Sequence, residues 1–222
     1  MEPQVDQLAG LEKASLLQER RRDFTDPRKK ARGYQLEVLD RALEENTIIF
    51  LETGCGKTLI AVLLIDVLSH LIRKPSLKIA VFLAPNRALV DQQAKEIEEH
   101  TNLRVGKYWG SIEGDTWNYT WWRKQIVNFE VIVMTPQILF NNLHHCFFTM
   151  AMIELLIFDE CHHAQKNHPY ANIMRDFYHS QRAHRPKIFG MTASPIIGKG
   201  GLPFSILMFW WFASKPPKPS ST

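Results

Sequence analysis

The stretch Leu51-Glu52-Thr53-Gly54-Cys55-Gly56-Lys57-Thr58 lies between two apolar segments of different kinds. The preceding run, Thr47–Leu51, is short and rich in β-branched residues, which is typical of a buried strand. The following run, Leu59–Leu68, has the length and composition of a helix that is apolar nearly all round. A strand, a glycine turn, Gly-Lys-Thr and a helix in this order predict a phosphate-binding loop.

The residues of this loop suit a nucleotide. Gly54 and Gly56 allow successive backbone N–H groups to turn toward a phosphate, and the helix that follows adds its positive N-terminal end. Lys57 would reach the β- and γ-phosphates, and the hydroxyl of Thr58 would bind Mg²⁺. Many such loops have a glycine six residues before the lysine, where this chain has Leu51. On this stretch alone, a plain glycine turn between a core strand and a core helix therefore stays an alternative.

Composition limits the class of protein. With 222 residues and 45% hydrophobic residues, the chain can bury a substantial core. Residues 12–32 carry eight Lys/Arg and four Asp/Glu, an excess equal to the net charge of +4. This predicts that residues 1–31 form a basic, mostly flexible lead-in, with a nucleic-acid contact as the alternative. The three cysteines have no C-x-x-C spacing, and the chain has neither a secretory signal nor a long apolar run. These features predict an intracellular protein of the nucleus or cytoplasm, with no membrane partner.

Strand-like and helix-like segments alternate after the loop. Because each pair of strands is separated by a helix, the pattern predicts an α/β fold with a parallel sheet covered on both faces. We assign residues 32–200 to this domain and residues 201–222, an apolar run and a Pro/Ser-rich end, to a tail outside it. The predicted strands are Lys78–Ala84, Arg104–Trp109, Glu130–Met134, Glu154–Phe158 and Lys187–Met191, and the helices are Gly33–Asn46, Asn86–His100, Thr116–Asn128, Gln137–Cys146 and Tyr170–Gln181.

Two acids follow one of these strands directly. Asp159 and Glu160 end the apolar run Leu155–Phe158. Asp159 could hold Mg²⁺, directly or through water, and Glu160 could polarise an attacking water. Two solvated acids at an ordinary strand end are the alternative. A Gly-Lys-Thr loop earlier in the same alternation favours nucleotide hydrolysis.

Three other interpretations are less well supported. His144-His145-Cys146 and Cys161-His162-His163 fit no zinc-site spacing. Cys55 could be a low-pKa thiol at a helix N-terminus, but a small residue there more often only makes room. Helical spacing favours packing over base stacking for the tryptophans Trp109, Trp117, Trp121 and Trp122. No paired-acid ribonuclease motif occurs in the chain.

Several motifs in order carry a family resemblance. Asp159-Glu160-Cys161-His162, the loop Thr53–Thr58 and Thr192-Ala193-Ser194 resemble those of a superfamily 2 helicase of the DECH type. Over residues 32–200 the chain resembles the amino-terminal helicase lobe of plant Dicer-like proteins. The runs that carry this closer resemblance are Leu51–Gly54, Asn86–Gln93, Met134–Leu139, Asp159–Ala164, His168–Tyr170 and Phe189–Pro195. The resemblance implies a single RecA-like lobe of a P-loop NTPase that binds ATP and Mg²⁺, in a group that tolerates leucine at position 51.

The resemblance also implies roles for individual residues. Arg32 would lie against the face of adenine and Gln35 at its edge. Lys57, Asp159 and Glu160 would serve catalysis, with Thr58 and Asp159 on the metal. Thr192 and Ser194 would couple the nucleotide state to motion between lobes. The residues implied to bind the phosphates are Thr53, Gly54, Cys55, Gly56, Lys57 and Thr58, and those implied to grip the RNA backbone are Pro85, Arg87, Gln92, Thr135 and Pro136.

The implied function is that of the ATP-binding lobe of a double-stranded-RNA-dependent ATPase or helicase in small-RNA production. Its partners would be double-stranded RNA, bound weakly and without DNA specificity, and a second helicase lobe. As an isolated lobe without ribonuclease III domains, it would be weakly active or inactive. The alternatives are a fragment of an RNA-sensing helicase and a non-catalytic module that binds RNA or a protein partner.

Overall fold

The computed structural model describes residues 31–110, 118–165, 167–180, 184–194, 196–197 and 202–203. Six strands form one sheet in the order β1-β6-β5-β2-β4-β3, and every pair in it is parallel. The predicted α/β fold with a parallel sheet is therefore confirmed. The strands are β1 (Thr47–Phe50), β2 (Ile79–Leu83), β3 (Val105–Tyr108), β4 (Val131–Met134), β5 (Ile153–Asp159) and β6 (Lys187–Thr192).

Helices connect these strands and cover both faces of the sheet. Their bounds differ from the predicted ones mainly at the ends, where helix limits are least well defined. The helices are α1 (Gly33–Glu44), α2 (Lys57–Val67), α3 (Ser69–Ile72), α4 (Arg87–His100), α5 (Tyr119–Asn128), α6 (Pro136–His144) and α7 (Pro169–Asn172), with short 3₁₀ turns at Met150–Met152 and Cys161–His163.

Two apolar layers form the core, one on each face of the sheet. On one face, α2 packs between α1 and α4, and every residue of Ile60–Ile65 is buried. A helix enclosed on all sides by sheet and neighbouring helices has no solvent-facing stripe, which explains why its sequence is apolar all round. The opposite layer includes Trp122, which is fully buried, and Trp121 packs against it. The packing role predicted for these two tryptophans is confirmed.

The last predicted helix, Tyr170–Gln181, differs from the observed structure. After α7 the chain continues as a π-helix, Ile173–Tyr178, which ends with a bond from the His179 N–H to the Met174 carbonyl. Ile173, Met174 and Tyr178 are all buried. A π-helix has a wider turn than an α-helix, so these three side chains face the core together. The α-helical period of 3.6 residues does not predict this arrangement.

The ends of the predicted domain are only partly described. Ile196–Ile197 (β7) and Leu202–Pro203 (β8) form a two-stranded antiparallel pair, separate from the six-stranded sheet. The predictions for residues 1–30 and 204–222 lie outside the described residues, as does Trp117. Among the helices that are described, none has the length and apolar character needed to cross a membrane.

Candidate nucleotide-binding site

The carboxyl ends of the parallel strands bring the predicted motifs together. Phe50 at the end of β1 pairs with Thr192 at the end of β6. Met191 of β6 pairs in turn with Asp159 of β5. The phosphate-binding loop, the Thr-Ala-Ser motif and the two acids thus follow three adjacent strands at one edge of the sheet. Ligands of open α/β sheets bind at this edge.

The loop between β1 and α2 has the backbone conformation that its glycines predict. Gly54 and Gly56 have φ angles of +84° and +74°, a left-handed region that disfavours other residues. Gly56 is also the N-cap of α2, and no side chain caps that helix. The ammonium of Lys57 donates hydrogen bonds to the carbonyls of Leu51 (2.8 Å) and Glu52 (3.2 Å). Lys57 therefore lies folded against its own loop.

Helix α1 supports this loop through two side chains. The Tyr34 hydroxyl donates to the Cys55 carbonyl over 2.6 Å, and the Gln35 amide donates to the same carbonyl over 3.3 Å. The other end of the buried Gln35 amide accepts from the Arg32 N–H at 2.7 Å. Arg32 is exposed at the start of α1. The two residues predicted to hold adenine thus lie beside the phosphate-binding loop.

Asp159 is a buried acid at the end of β5, with 5% of its surface exposed. One carboxylate oxygen accepts from the Glu160 N–H (2.9 Å) and the other from the Gln93 amide (3.2 Å). Burial, reinforced by the charge of Glu160, raises the pKa of Asp159 to about 6, although the Lys57 ammonium acts in the opposite direction. Lys57 and Asp159 are therefore close enough for their charges to interact.

Glu160 connects the acids to the Thr-Ala-Ser motif. It has a left-handed backbone (φ +47°), and its carboxylate lies 3.2 Å from Nδ1 of His162. The same nitrogen lies 2.7 Å from the hydroxyl of Thr192, which in turn accepts from the Ser194 N–H. The Thr192 hydroxyl donates its own proton to the Ser194 carbonyl at 3.2 Å, so it accepts from His162, and Nδ1 carries the proton. Burial lowers the pKa of His162, and this keeps the imidazole neutral at pH 7.

Tyr170 holds two strand ends together beneath the site. Its buried hydroxyl lies 2.8 Å from the Asp159 carbonyl and 3.2 Å from the Leu83 carbonyl, and it can donate to either. These two carbonyls belong to the ends of β5 and β2. The ring packs edge-on against Phe158, with centroids 5.1 Å apart. The backbone of Asp159 is thereby fixed from below.

The residues predicted to grip RNA follow two neighbouring strands of the same edge. Arg87 and Gln92 are exposed on α4, and the guanidinium of Arg87 lies over the ring of Trp109, 4.7 Å from its centroid. Thr135 is half-buried, and its N–H already donates to the Tyr108 carbonyl. The five residues lie on one side of the acids: Pro85, Arg87 and Gln92 after β2, and Thr135 and Pro136 after β4.

Three residues of the site were not expected from the sequence: Tyr34, Gln93 and Tyr170. Gln93 had a detectable signal, because it falls on the face of α4 that also carries Val90, Ala94 and Ile97. A polar residue on an apolar helix face signals a buried polar contact. The hydroxyls of the two tyrosines had no such signal, since aromatic rings at core positions are ordinary.

The donors at this edge fit a magnesium ion. Mg²⁺ is usually held by one or two carboxylates together with substrate phosphates rather than by a cage of protein ligands. Asp159 supplies one buried carboxylate near the loop, and Thr58 follows Lys57 in the first turn of α2. Across the described ranges, no group of three or more His, Cys, Asp or Glu side chains is arranged to hold a metal. Burial also raises the pKa of the Cys161 thiol, which disfavours the thiolate that zinc requires.

Comparison with known proteins agrees with this geometry. A family model described as type III restriction enzyme, res subunit, matches residues 28–197. The chain is 55% identical over 181 residues to Endoribonuclease Dicer homolog 4 of Oryza sativa subsp. japonica, and 51% identical over 174 residues to Endoribonuclease Dicer homolog 2 of Arabidopsis thaliana. These matches cover 80% and 77% of this chain but only 11% and 12% of the relatives.

A solved structure shows the same architecture. The Hef helicase domain of Pyrococcus furiosus matches with a TM-score of 0.63 at 31% identity, over 84% of this chain and 36% of that chain. The single parallel sheet with its helices is therefore a RecA-like helicase lobe. The chain belongs to the family described as type III restriction enzyme, res subunit, and within that family it is a helicase lobe of the Dicer-like type.

Proposed function

We propose that this lobe binds ATP with Mg²⁺ and contributes one side of the catalytic site of a double-stranded-RNA-dependent ATPase. The observation that supports this most strongly is the strand pairing that brings the Lys57 loop and Asp159 to one edge of the sheet. The loop follows β1 and Asp159 ends β5, and β6 pairs with both strands, through the pairs of Phe50 with Thr192 and of Asp159 with Met191. A phosphate-binding lysine beside a buried acid is the arrangement that phosphoryl transfer requires.

The proposed roles follow from position. Backbone N–H groups of Gly54–Thr58 would surround the phosphates, and Lys57 would exchange its two carbonyl contacts for phosphate oxygens. Thr58 and Asp159 would hold Mg²⁺, which supplies charge neutralisation at the phosphates. Glu160, which follows Asp159 directly in the turn after β5, would orient the attacking water.

RNA would bind along the neighbouring strand ends. The exposed Arg87 and Gln92 lie on α4, the helix that follows β2. Contacts of this kind go to the backbone, so they would position a strand without reading its sequence. Binding to this lobe alone would be weak and would fall steeply with salt, because the contacts are to phosphates. The cellular role that we propose is small-RNA production, together with a second helicase lobe, in the nucleus or cytoplasm. The similarity to proteins named Endoribonuclease Dicer homolog supports this proposal.

The test is a titration of a fluorescent ATP analogue in the presence and absence of Mg²⁺. The wild-type chain should bind more tightly with Mg²⁺, and Lys57→Ala should show no saturable binding in the same range. Lys95→Ala is the matched control, because Lys95 is an exposed lysine of α4 that pairs with Glu99 across one helical turn. Equal affinity of the Lys57→Ala protein would contradict the proposal, and a non-catalytic binding module would then be the better account.

A further inference from the structure

Gln93 places a polar side chain on the buried face of α4. Only 4% of its surface is exposed, and its neighbours on that face are apolar. Burying an amide without hydrogen bonds costs free energy, so a contact must offset this cost. Among the described residues the Gln93 side chain makes a single hydrogen bond, from Nε2 to the Asp159 carboxylate at 3.2 Å.

The bond from Gln93 completes the support of the Asp159 carboxylate. The other carboxylate oxygen accepts from the Glu160 N–H at 2.9 Å, and the Tyr170 hydroxyl holds the Asp159 backbone carbonyl. Two donors on two different oxygens fix both the position and the plane of a carboxylate. Each oxygen keeps a second lone pair, so both bonds can persist while the carboxylate binds an ion.

The remaining atom of the amide, Oε1, has no hydrogen-bond partner within the part of the chain that the structure describes. Nothing there anchors the amide from its other side. The orientation of Gln93 therefore follows the backbone of α4. This helix begins at Arg87, the candidate RNA contact, less than two turns before Gln93.

We propose that Gln93 is a positioning residue for the metal: it holds the Asp159 carboxylate in the orientation that binds Mg²⁺ and connects that carboxylate to α4. This inference rests on the proposed function, because it assumes that Asp159 holds the ion. Residues that support a metal ligand typically contribute 10- to 100-fold to metal affinity. Replacing Gln93 should therefore weaken nucleotide binding in the presence of Mg²⁺ and leave binding without Mg²⁺ unchanged.

The experiment compares Gln93→Met, which keeps the length of the side chain but removes the donor, with wild type. The fluorescent ATP analogue is titrated at a series of Mg²⁺ concentrations and with EDTA. We expect the Mg²⁺ concentration that gives half of the maximal increase in nucleotide affinity to rise at least about tenfold. The nucleotide affinity in EDTA should stay unchanged. Gln125→Met is the matched control, because Gln125 is a half-buried glutamine of α5 that bonds Tyr108 and Trp121 far from the acids. It should leave the Mg²⁺ dependence as in wild type.

A double-mutant cycle shows whether Gln93 acts through Asp159. In the Asp159→Asn background, Gln93→Met should have no further effect on nucleotide affinity, because the group that it positions is gone. Gln93→Asn keeps the amide, but its side chain is too short to reach Asp159. It should reproduce the Gln93→Met effect, and it replaces the methionine variant if that variant does not fold. Equal Mg²⁺ dependence in wild type and Gln93 variants, or additive effects in the cycle, would overturn the inference. Failure of the proposed function is distinguishable, since wild type itself would then show no Mg²⁺-dependent tightening.

Discussion

The imidazole of His162 donates a hydrogen bond from Nδ1 to the hydroxyl of Thr192, over 2.7 Å. His162 belongs to the turn after β5, and Thr192 ends β6, so the bond connects the two acids to the Thr-Ala-Ser motif. Thr192 is fully buried, and its hydroxyl also accepts from the Ser194 N–H. A change at the acids therefore has a direct path to the segment proposed to couple nucleotide state to motion between lobes.

Replacing Thr192 by valine removes this connection at nearly constant volume. We expect a loss of about 1–3 kcal/mol in the free energy of unfolding, because two donors lose a buried acceptor. ATP·Mg²⁺ affinity should stay near that of wild type, since the phosphate loop and Asp159 are unaltered. Chemical denaturation and nucleotide titration measure the two quantities. Thr101→Val, which removes a hydroxyl bonded to the Ile97 carbonyl at the end of α4, is the control and should cost less. A Thr192→Val protein as stable as wild type would show that the bond contributes nothing.

Asp159→Asn should stabilise the nucleotide-free lobe at neutral pH. The pKa of Asp159 is raised to about 6 from 3.8, so its contribution to stability is fully present below about pH 4 and is lost as the pH rises through 6. A shift of this size means that ionising Asp159 costs about 3 kcal/mol of the free energy of unfolding at pH 7.5. The asparagine variant avoids this cost and should unfold with a free energy higher by about 1–3 kcal/mol.

Urea denaturation at several pH values tests this prediction. The difference between variant and wild type should shrink toward zero as the pH falls to 4. Asp91→Asn, at a carboxylate that is about half exposed on α4, is the control and should not be stabilised at pH 7.5, because its charge is solvated. A destabilised Asp159→Asn protein at pH 7.5 would contradict the view that burial penalises the ionised carboxylate.

Gly56→Ala should disrupt the contact between α1 and the phosphate loop. Both Gly56 and Gly54 have left-handed φ angles, so alanine costs about 1–2 kcal/mol of strain at either position. Only at Gly56 would the new Cβ collide with a neighbour, the Gln35 amide, whereas the space around Gly54 is open. Gly56→Ala should therefore lower the melting temperature more than Gly54→Ala. Equal losses would show that the Gln35 contact does not constrain the loop.

Most of the architecture was predictable because it depends on local patterns. The strand–loop–helix at Leu51–Thr58 and the acids after β5 follow from residue order and apolar periodicity. The position of β6 between β1 and β5 was not predictable in this way, since strand order depends on contacts between distant segments. The bond between Gln93 and Asp159 also joins distant segments, so it was not predictable either. The family resemblance assigned the exposed Gln92 to RNA, which stays a prediction, and it gave no role to Gln93, which the helical phase of α4 turns toward the acids.

The lobe alone should hydrolyse ATP far more slowly than the lobe supplied with a second helicase lobe. An arginine contributed across such a site accelerates turnover by roughly 10³–10⁵, which is about 4–7 kcal/mol of barrier. Ground-state binding should suffer less, because Lys57 and Asp159 stay in place. Phosphate release with and without duplex RNA, before and after adding a separately expressed second lobe, measures this. Robust RNA-stimulated turnover by the chain alone would contradict the two-lobe account.

The most direct test of the central claim is a crystal structure of the chain with a non-hydrolysable ATP analogue and Mn²⁺, whose anomalous signal locates the ion. The account predicts Lys57 on the β- and γ-phosphates and one anomalous peak between Thr58 and the Asp159 carboxylate, with the Gln93 bond intact. Triphosphate bound away from the Gly54–Thr58 loop, or Mn²⁺ held without Asp159, would contradict it.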